Sequence, residues 1–257
     1  MQQCKNFWYF IYTKEIIMQE NTTEIPTYKL PLIGDKAPAF QTNTTNGTIN
    51  FPEDFKGHWV VLFSHPMDFT PVCTTEFLAF QTQINDFHKL DTDIIGLSVG
   101  GIPSHLAWFR SIHDDIKFQN KKNIEITFPV IADLDLHIAK MYGMIHPETS
   151  ETKTVRAVFI IDPKGIIRTI LYYPQTTGRN IKEILRILMA LRTTDAFAVS
   201  TPADWMPGEK VIEPAPQTAK DMNQRIKQDD KNINVLAWYL ALRDLPKDKV
   251  YDKIIKK

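Results

Sequence analysis

From Leu30 onward, apolar residues fall into runs and periods that predict alternating strands and helices. Gly34-Asp35-Lys36-Ala37-Pro38-Ala39-Phe40 reads as a loop entering an extended piece. Asn46-Gly47, between Phe40 and Ile49, predicts a short hairpin. Trp59-Val60-Val61-Leu62-Phe63 is a continuous apolar run of strand length, suited to a strand buried on both faces. The polar, proline-containing loop Ser64-His65-Pro66-Met67-Asp68-Phe69 follows. Thr70-Pro71 then marks a helix start, with Thr as N-cap and Pro where a missing amide costs nothing. Phe77, Phe80, Ile84 and Phe87 recur at helical spacing and predict one apolar helical face.

Asp93–Val99 predicts the next strand. Pro103 opens a helix carrying Leu106, Trp108 and Phe109. Phe128–Asp133 reads as a short strand, and Leu136–Tyr142 as a helix ended by Gly143. Val155–Asp162 and Ile166–Tyr173, joined by Pro163-Lys164-Gly165, form an antiparallel hairpin. Ile181, Ile184, Leu185, Leu188 and Leu191 mark an amphipathic helix. The fold class is therefore α/β, a mixed sheet with helices on both faces. After Arg192 the texture changes. Pro202, Pro207, Pro214 and Pro216 punctuate an extended stretch holding Trp205, a polar helix starts near Ala219, and Val235–Leu240 follows. The organisation read from this is an N-terminal extension (1–29), one α/β domain (30–195) and a small C-terminal arm (196–257) without a core of its own. Aromatics in such an arm bury against the parent domain or a neighbouring subunit.

Composition narrows the function. Thirty basic and thirty acidic residues cancel, so charge makes no case for a nucleic-acid partner. With 43% hydrophobic and 23% charged residues, the chain is neither disordered nor fibrous. Two cysteines exclude a disulfide framework and a cysteine-rich zinc site. No run reaches the ~18 apolar residues of a membrane span. Phe7–Tyr12 is shorter than a signal-peptide core of ~7–15 residues, and no small-residue cleavage site follows it. Met18, opening the polar stretch Gln19–Thr23, reads as an alternative translation start; a membrane or partner anchor is the competing reading of the leader. Cys4 lies in that segment. A cytoplasmic protein is expected.

Cys73 is the residue that carries chemistry. With Thr70 as N-cap it falls at the third helical position, where unpaired amides and the helix dipole favour negative charge. A free thiol titrates near ~8.5, and helix N-termini or nearby cations lower this toward the reactive thiolate. The preceding buried strand would present the loop at a carboxyl edge, where open α/β sheets place their sites. The competing reading is a small buried hydrophobe. Thr70 stands where a Cys-x-x-Cys redox motif would have its first cysteine, so dithiol exchange by this site alone is excluded.

The block His65-Pro66-Met67-Asp68-Phe69-Thr70-Pro71-Val72-Cys73-Thr74-Thr75-Glu76-Phe77 resembles the Pro-x-x-x-Thr-x-x-Cys signature of the peroxiredoxins, the AhpC/TSA superfamily. Its His-Pro opening is similar to the one-cysteine, peroxiredoxin-6-like branch. The resemblance continues in order through Gly96–Val99, Phe128-Pro129, Val155–Asp162, Tyr173–Asn180 and Pro202–Trp205, covering roughly residues 30 to 215. It implies a thioredoxin-like domain with a C-terminal dimerisation arm and, as activity, reduction of hydrogen peroxide or organic hydroperoxides through a Cys73 sulfenic acid. By the same resemblance Arg156 holds the thiolate and polarises the peroxide, Thr70 orients it, and Pro66 narrows the pocket. His65 matches a histidine that positions peroxide or communicates with the reductant, or else sits satisfied in its loop. Glu76 and Arg179 match a supporting ion pair. No metal and no organic cofactor is called for.

Neither the arm nor the rest of the domain supplies a resolving cysteine, so an external thiol is expected, whether glutathione, a thioredoxin-type protein or another thiol; the alternative is Cys4. A homodimer or larger ring is expected. Some relatives in this branch hydrolyse phospholipids with a serine ahead of the first core strand; His58 occupies that position here, so no lipase activity is carried over. A second function class, an oligomeric holdase or redox-sensing interaction protein on the same fold, is disfavoured by the presence of both Thr70 and Arg156.

Overall fold

A computed structural model describes residues 29–255. The leader, Met18 and Cys4 therefore lie outside the described residues. The chain begins with the predicted hairpin, β1 (Phe40–Thr44) and β2 (Gly47–Phe51). It continues through β3 (Trp59–Ser64), α1 (Pro71–Thr82), α2 (Ile84–Lys89), β4 (Thr92–Ser98), α3 (Ile102–Asp115), β5 (Val130–Ala132) and α4 (His137–Met141). The second hairpin, β6 (Arg156–Ile161) and β7 (Ile167–Tyr173), leads into α5 (Ile181–Phe197). Gly165 closes that hairpin's turn at φ 76°, a conformation that favours glycine.

These strands make one seven-stranded sheet in the order β2-β1-β5-β4-β3-β6-β7. β3, β4 and β5 run parallel at its centre, and the outer pairings are antiparallel. Every residue of β3 and β6 is buried, as their unbroken apolar runs predict. Alternation then sorts the strands between two cores. Trp59, Val61, Phe63, Val158 and Ile160 face α1, α3 and α5, while Val60, Leu62, Ala157, Phe159 and Ile161 face α4 and the first hairpin.

The single helical face over Phe77–Phe87 is corrected: the helix breaks at Gln83. The Gln83 N–H bonds back to Phe80 O in a tight turn, and its own carbonyl starts α2, which re-aims Ile84 and Phe87 into the same core. On α3 the buried stripe is His105, Trp108 and Ile112, while Leu106 is 49% exposed. Counting His105 as polar hid that stripe.

Beyond α5, β8 (Val211–Ile212), β9 (Ile233–Ala237) and β10 (Leu240–Arg243) form a small antiparallel sheet, with α6 (Ala219–Ile226) beside β9 and α7 (Lys247–Ile254) packed on α5. Val235–Leu240 is thus a hairpin whose tip, Trp238-Tyr239, is exposed in the single chain. Trp205, Val250 and Ile254 bury in the same core as Leu188, and Arg192 Nε donates to Ile254 O at 3.0 Å. Among the described residues no helix is long and apolar enough to cross a membrane.

Candidate active site

β3 ends at Ser64 and delivers the loop 65–70 to the N-terminus of α1. Thr70 occupies the N-cap with extended backbone, and Pro71 is the first helical residue. The hydroxyl does not cap, however. Thr70 Oγ1 donates to Met67 O at 2.9 Å within the loop, while Thr70 O accepts from Thr74 N and Thr74 Oγ1. Capping by the Thr70 side chain is therefore corrected, because the loop carbonyl holds that hydroxyl. Pro66 is buried in the same loop.

Cys73 lies in the first turn of α1 and is completely buried. Arg156, at the start of β6, reaches across from the sheet. Its Nη1 donates to Cys73 Sγ at 3.3 Å and to Glu76 Oε2 at 2.7 Å. Nε and Nη2 both donate to Gln175 O, at 2.9 and 2.6 Å. Of five guanidinium hydrogens, four are used. The second Nη2 hydrogen has no partner among the described residues.

Glu76 ties this arginine to another. Arg179 donates from Nε and its backbone N–H to Glu76 Oε1, at 2.8 and 2.9 Å, and from Nη2 to Oε2 at 2.6 Å. Its Nη1 donates to the carbonyls of Ser64 and Ala157, and its plane lies 4.9 Å from the Phe63 ring centre. One carboxylate thus sits between two cations. Burial opposes its charge, but the Arg179 charge and hydrogen bonds, followed by the Arg156 charge, hold the Glu76 carboxyl below its usual range.

His65 lies one loop away, fully buried, its ring centre 4.7 Å from Phe77 and 5.3 Å from Trp108. Its Nε2 is 3.0 Å from Asp68 Oδ1. Burial pushes the His65 imidazole down, more than Asp68 raises it. Asp68 also accepts from Ser104 Oγ at 2.7 Å and pairs with His105 Nδ1 at 2.8 Å. Burial works against the Asp68 charge, yet the bonds to His105, His65 and Ser104 outweigh it and hold the carboxyl well below its usual range. Among the described residues His65, Asp68 and His105 are also close enough to hold a cation, with ligand atoms within 4.8 Å of one another. Here the carboxylate is already occupied by three hydrogen-bond partners.

The structure therefore brings Cys73, Arg156, Glu76 and Arg179 into one bonded cluster, and places Thr70, Pro66 and His65 on the loop that leads into it. Sequence reasoning assigned no role to Gln175, Asp68, Ser104 or His105. Gln175 acts through a backbone carbonyl, which no residue type announces. Asp68 and the Ser104-His105 pair are 36 and 37 residues apart and meet only in the fold.

The chain is similar to known proteins over most of its length. Residues 33–170 match the AhpC/TSA family, and residues 190–228 match the C-terminal domain of 1-Cys peroxiredoxin. A peroxiredoxin of Methanosarcina mazei is 51% identical over 214 residues, covering 83% of this chain and 98% of its own. One from Aquifex aeolicus is 50% identical over 222 residues, covering 82% and 96%. Among solved structures, the yeast mitochondrial 1-Cys peroxiredoxin superposes with a TM-score of 0.72 at 38% identity, covering 84% of this chain and 100% of that one. A cysteine-to-serine mutant of the peroxiredoxin 6 of Arenicola marina gives 0.71 at 34% identity over 84% and 99%.

Proposed function

The chain belongs to the peroxiredoxin family and is a thiol-dependent peroxidase, and from that premise we propose that Cys73 is its nucleophile and Arg156 the group that aligns sulfur and peroxide. The observation that carries this is the 3.3 Å contact from Arg156 Nη1 to Cys73 Sγ. Sulfur attacks the nearer peroxide oxygen, the O–O bond breaks, and charge moves onto the departing oxygen. A donor fixed in advance at that position lowers the barrier most in a dry site. The unengaged Nη2 hydrogen of Arg156 is such a donor. Thr70 Oγ1, held by Met67 O, keeps its lone pairs free to accept the peroxide O–H, and buried Pro66 keeps water from the sulfur. Glu76 and Arg179 hold Arg156 in place, and His65 faces the helix that carries Cys73.

The resulting sulfenic acid is resolved by an external thiol. Cys73 is the free cysteine among the described residues, and the yeast mitochondrial neighbour is described as resolved via glutathione/thioredoxin systems. We read 30–195 as the catalytic domain and 196–257 as the dimerisation region of a homodimer or larger ring, a division supported by the match of 190–228 to a separate C-terminal domain. Cytoplasmic residence completes the proposal. Mass spectrometry after a peroxide pulse tests it: one oxygen adds at Cys73. Oxygen found solely on methionine or on Cys4 refutes the assignment.

A further inference from the structure

β3 ends at Ser64 beside the Cys73 loop and begins at Trp59, roughly 17 Å away at the other pole of the sheet. A cleft of about 580 Å³ lies at that pole, walled by the β6–β7 turn, the end of α5 and the last turn of α7. Four cations, Lys164, Arg168, Arg192 and Lys253, line it against two carboxylates, Asp162 and Asp195. Both carboxylates are already engaged. Arg168 holds Asp195 through two bonds of 2.8 Å and reaches Asp162 Oδ2 at 3.3 Å. Asp162 Oδ1 accepts the backbone N–H groups of Lys164 and Ile166. The ammonium groups of Lys164 and Lys253 make no ion pair among the described residues.

Arg192 is the residue whose state asks for an explanation. It is half-buried, and its Nε is fixed on Ile254 O at 3.0 Å, which ties α5 to the end of α7. Its Cζ lies 6.0 Å from the centre of the buried Trp59 ring, over which Arg168 also packs at 5.6 Å. Nη1 and Nη2 have no hydrogen-bond partner among the described residues. Burial pushes the Arg192 guanidinium down from its usual value, and Asp91 and Asp195 offset only part of that. A cation that is partly desolvated, held still and left with two unpaired nitrogens is arranged for an anion.

A guanidinium fork suits an oxyanion that accepts two parallel N–H bonds. Two unpaired lysines on the same cleft favour a doubly charged anion over a singly charged one. We propose that this cleft binds a phosphate group, free or carried by a small molecule, with Arg192 Nη1 and Nη2 as the fork and Lys253 and Lys164 as flanking charges. The bound anion joins α5 to α7 and so fastens the C-terminal arm to the domain. No bond is made or broken there, and the site lies a strand's length from Cys73. The proposal is therefore independent of the reading of Cys73 as nucleophile.

Orthophosphate titrated into the full chain, at an ionic strength held constant with chloride, tests this by calorimetry and by hydrogen exchange. Saturable binding of one phosphate per chain and slower exchange across α7 are expected. Glycerol 3-phosphate competes for the same site. Arg192→Gln weakens orthophosphate binding by about tenfold or more. That substitution also loses the bond to Ile254 O, so Lys253→Gln is its companion. Lys253 is exposed and holds no partner among the described residues, so its loss weakens binding without disturbing the unliganded fold. Lys121→Gln, outside the cleft, leaves binding unchanged. No saturable binding of orthophosphate overturns the proposal, as does an equal loss in Lys121→Gln. Binding to phosphatidic acid vesicles but to neither soluble phosphate overturns it in favour of a lipid surface.

Discussion

Arg156 Nη1 stands 3.3 Å from Cys73 Sγ, although 83 residues separate the strand from the helix that bring them together. The same nitrogen bonds Glu76, and the rest of the fork is held by one carbonyl, Gln175 O. A lysine offers a point charge and cannot meet three such partners in their separate directions. Arg156→Lys is expected to slow peroxide oxidation of Cys73 by about a hundredfold or more, read as sulfenic acid formation under excess peroxide. An unchanged rate contradicts the alignment role.

Glu76 is 2% exposed and lies between two arginines. Removing its charge leaves both cations buried and unbalanced. Glu76→Gln is expected to cost about 3–5 kcal/mol at neutral pH, measured by urea unfolding. The pH dependence has a definite sign. The folded-state value is depressed, so the stabilisation is complete above the ordinary carboxylate range of ~4.3 and is lost as pH falls through the lower folded value. The gap between native and variant midpoints therefore narrows on acidification. A gap that widens there is inconsistent with a paired carboxylate.

Thr70 separates two roles by its hydroxyl. Since Oγ1 bonds Met67 O and no helix amide, losing the hydroxyl costs the helix little. Thr70→Ser is expected to keep near-native turnover, and Thr70→Val to lose turnover with a nearly unchanged melting temperature. Equal turnover in the two variants removes the hydroxyl from the mechanism.

Cys73 has no exposed surface, so its sulfur is closed to peroxide and to an external thiol alike in this conformation, and the loop 65–70 or the first turn of α1 moves to admit either. For reduction the opening expected is that of the first turn of α1, which breaks the Thr74 N–H bond to Thr70 O. Hydrogen exchange at residues 73–77 is expected to quicken after peroxide oxidation and to slow again on reduction. Protection that is the same in both states rules out this opening.

Much of this was legible in the sequence because it is local. The Thr-Pro pair records a helix start, and the unbroken apolar runs of β3 and β6 and the stripe of α5 each record their own burial. The break at Gln83 was not, since the apolar spacing runs straight through it while the chain bends to keep both halves on the sheet. Cys73, the proposed nucleophile, stands out by its helix position, and Arg156, Glu76 and Arg179, which the fold bonds into one cluster with it, stand out by family resemblance. Gln175 O and the Asp68 cluster were not, because a carbonyl has no side-chain signature and His105 meets Asp68 only when α3 packs beside the loop.

The central claim is that one thiol does the chemistry. Peroxide consumption by the purified protein with dithiothreitol, measured beside Cys73→Ser, tests it most directly. Turnover in the native protein and none above background in Cys73→Ser is the predicted result. Equal consumption by the two proteins contradicts it.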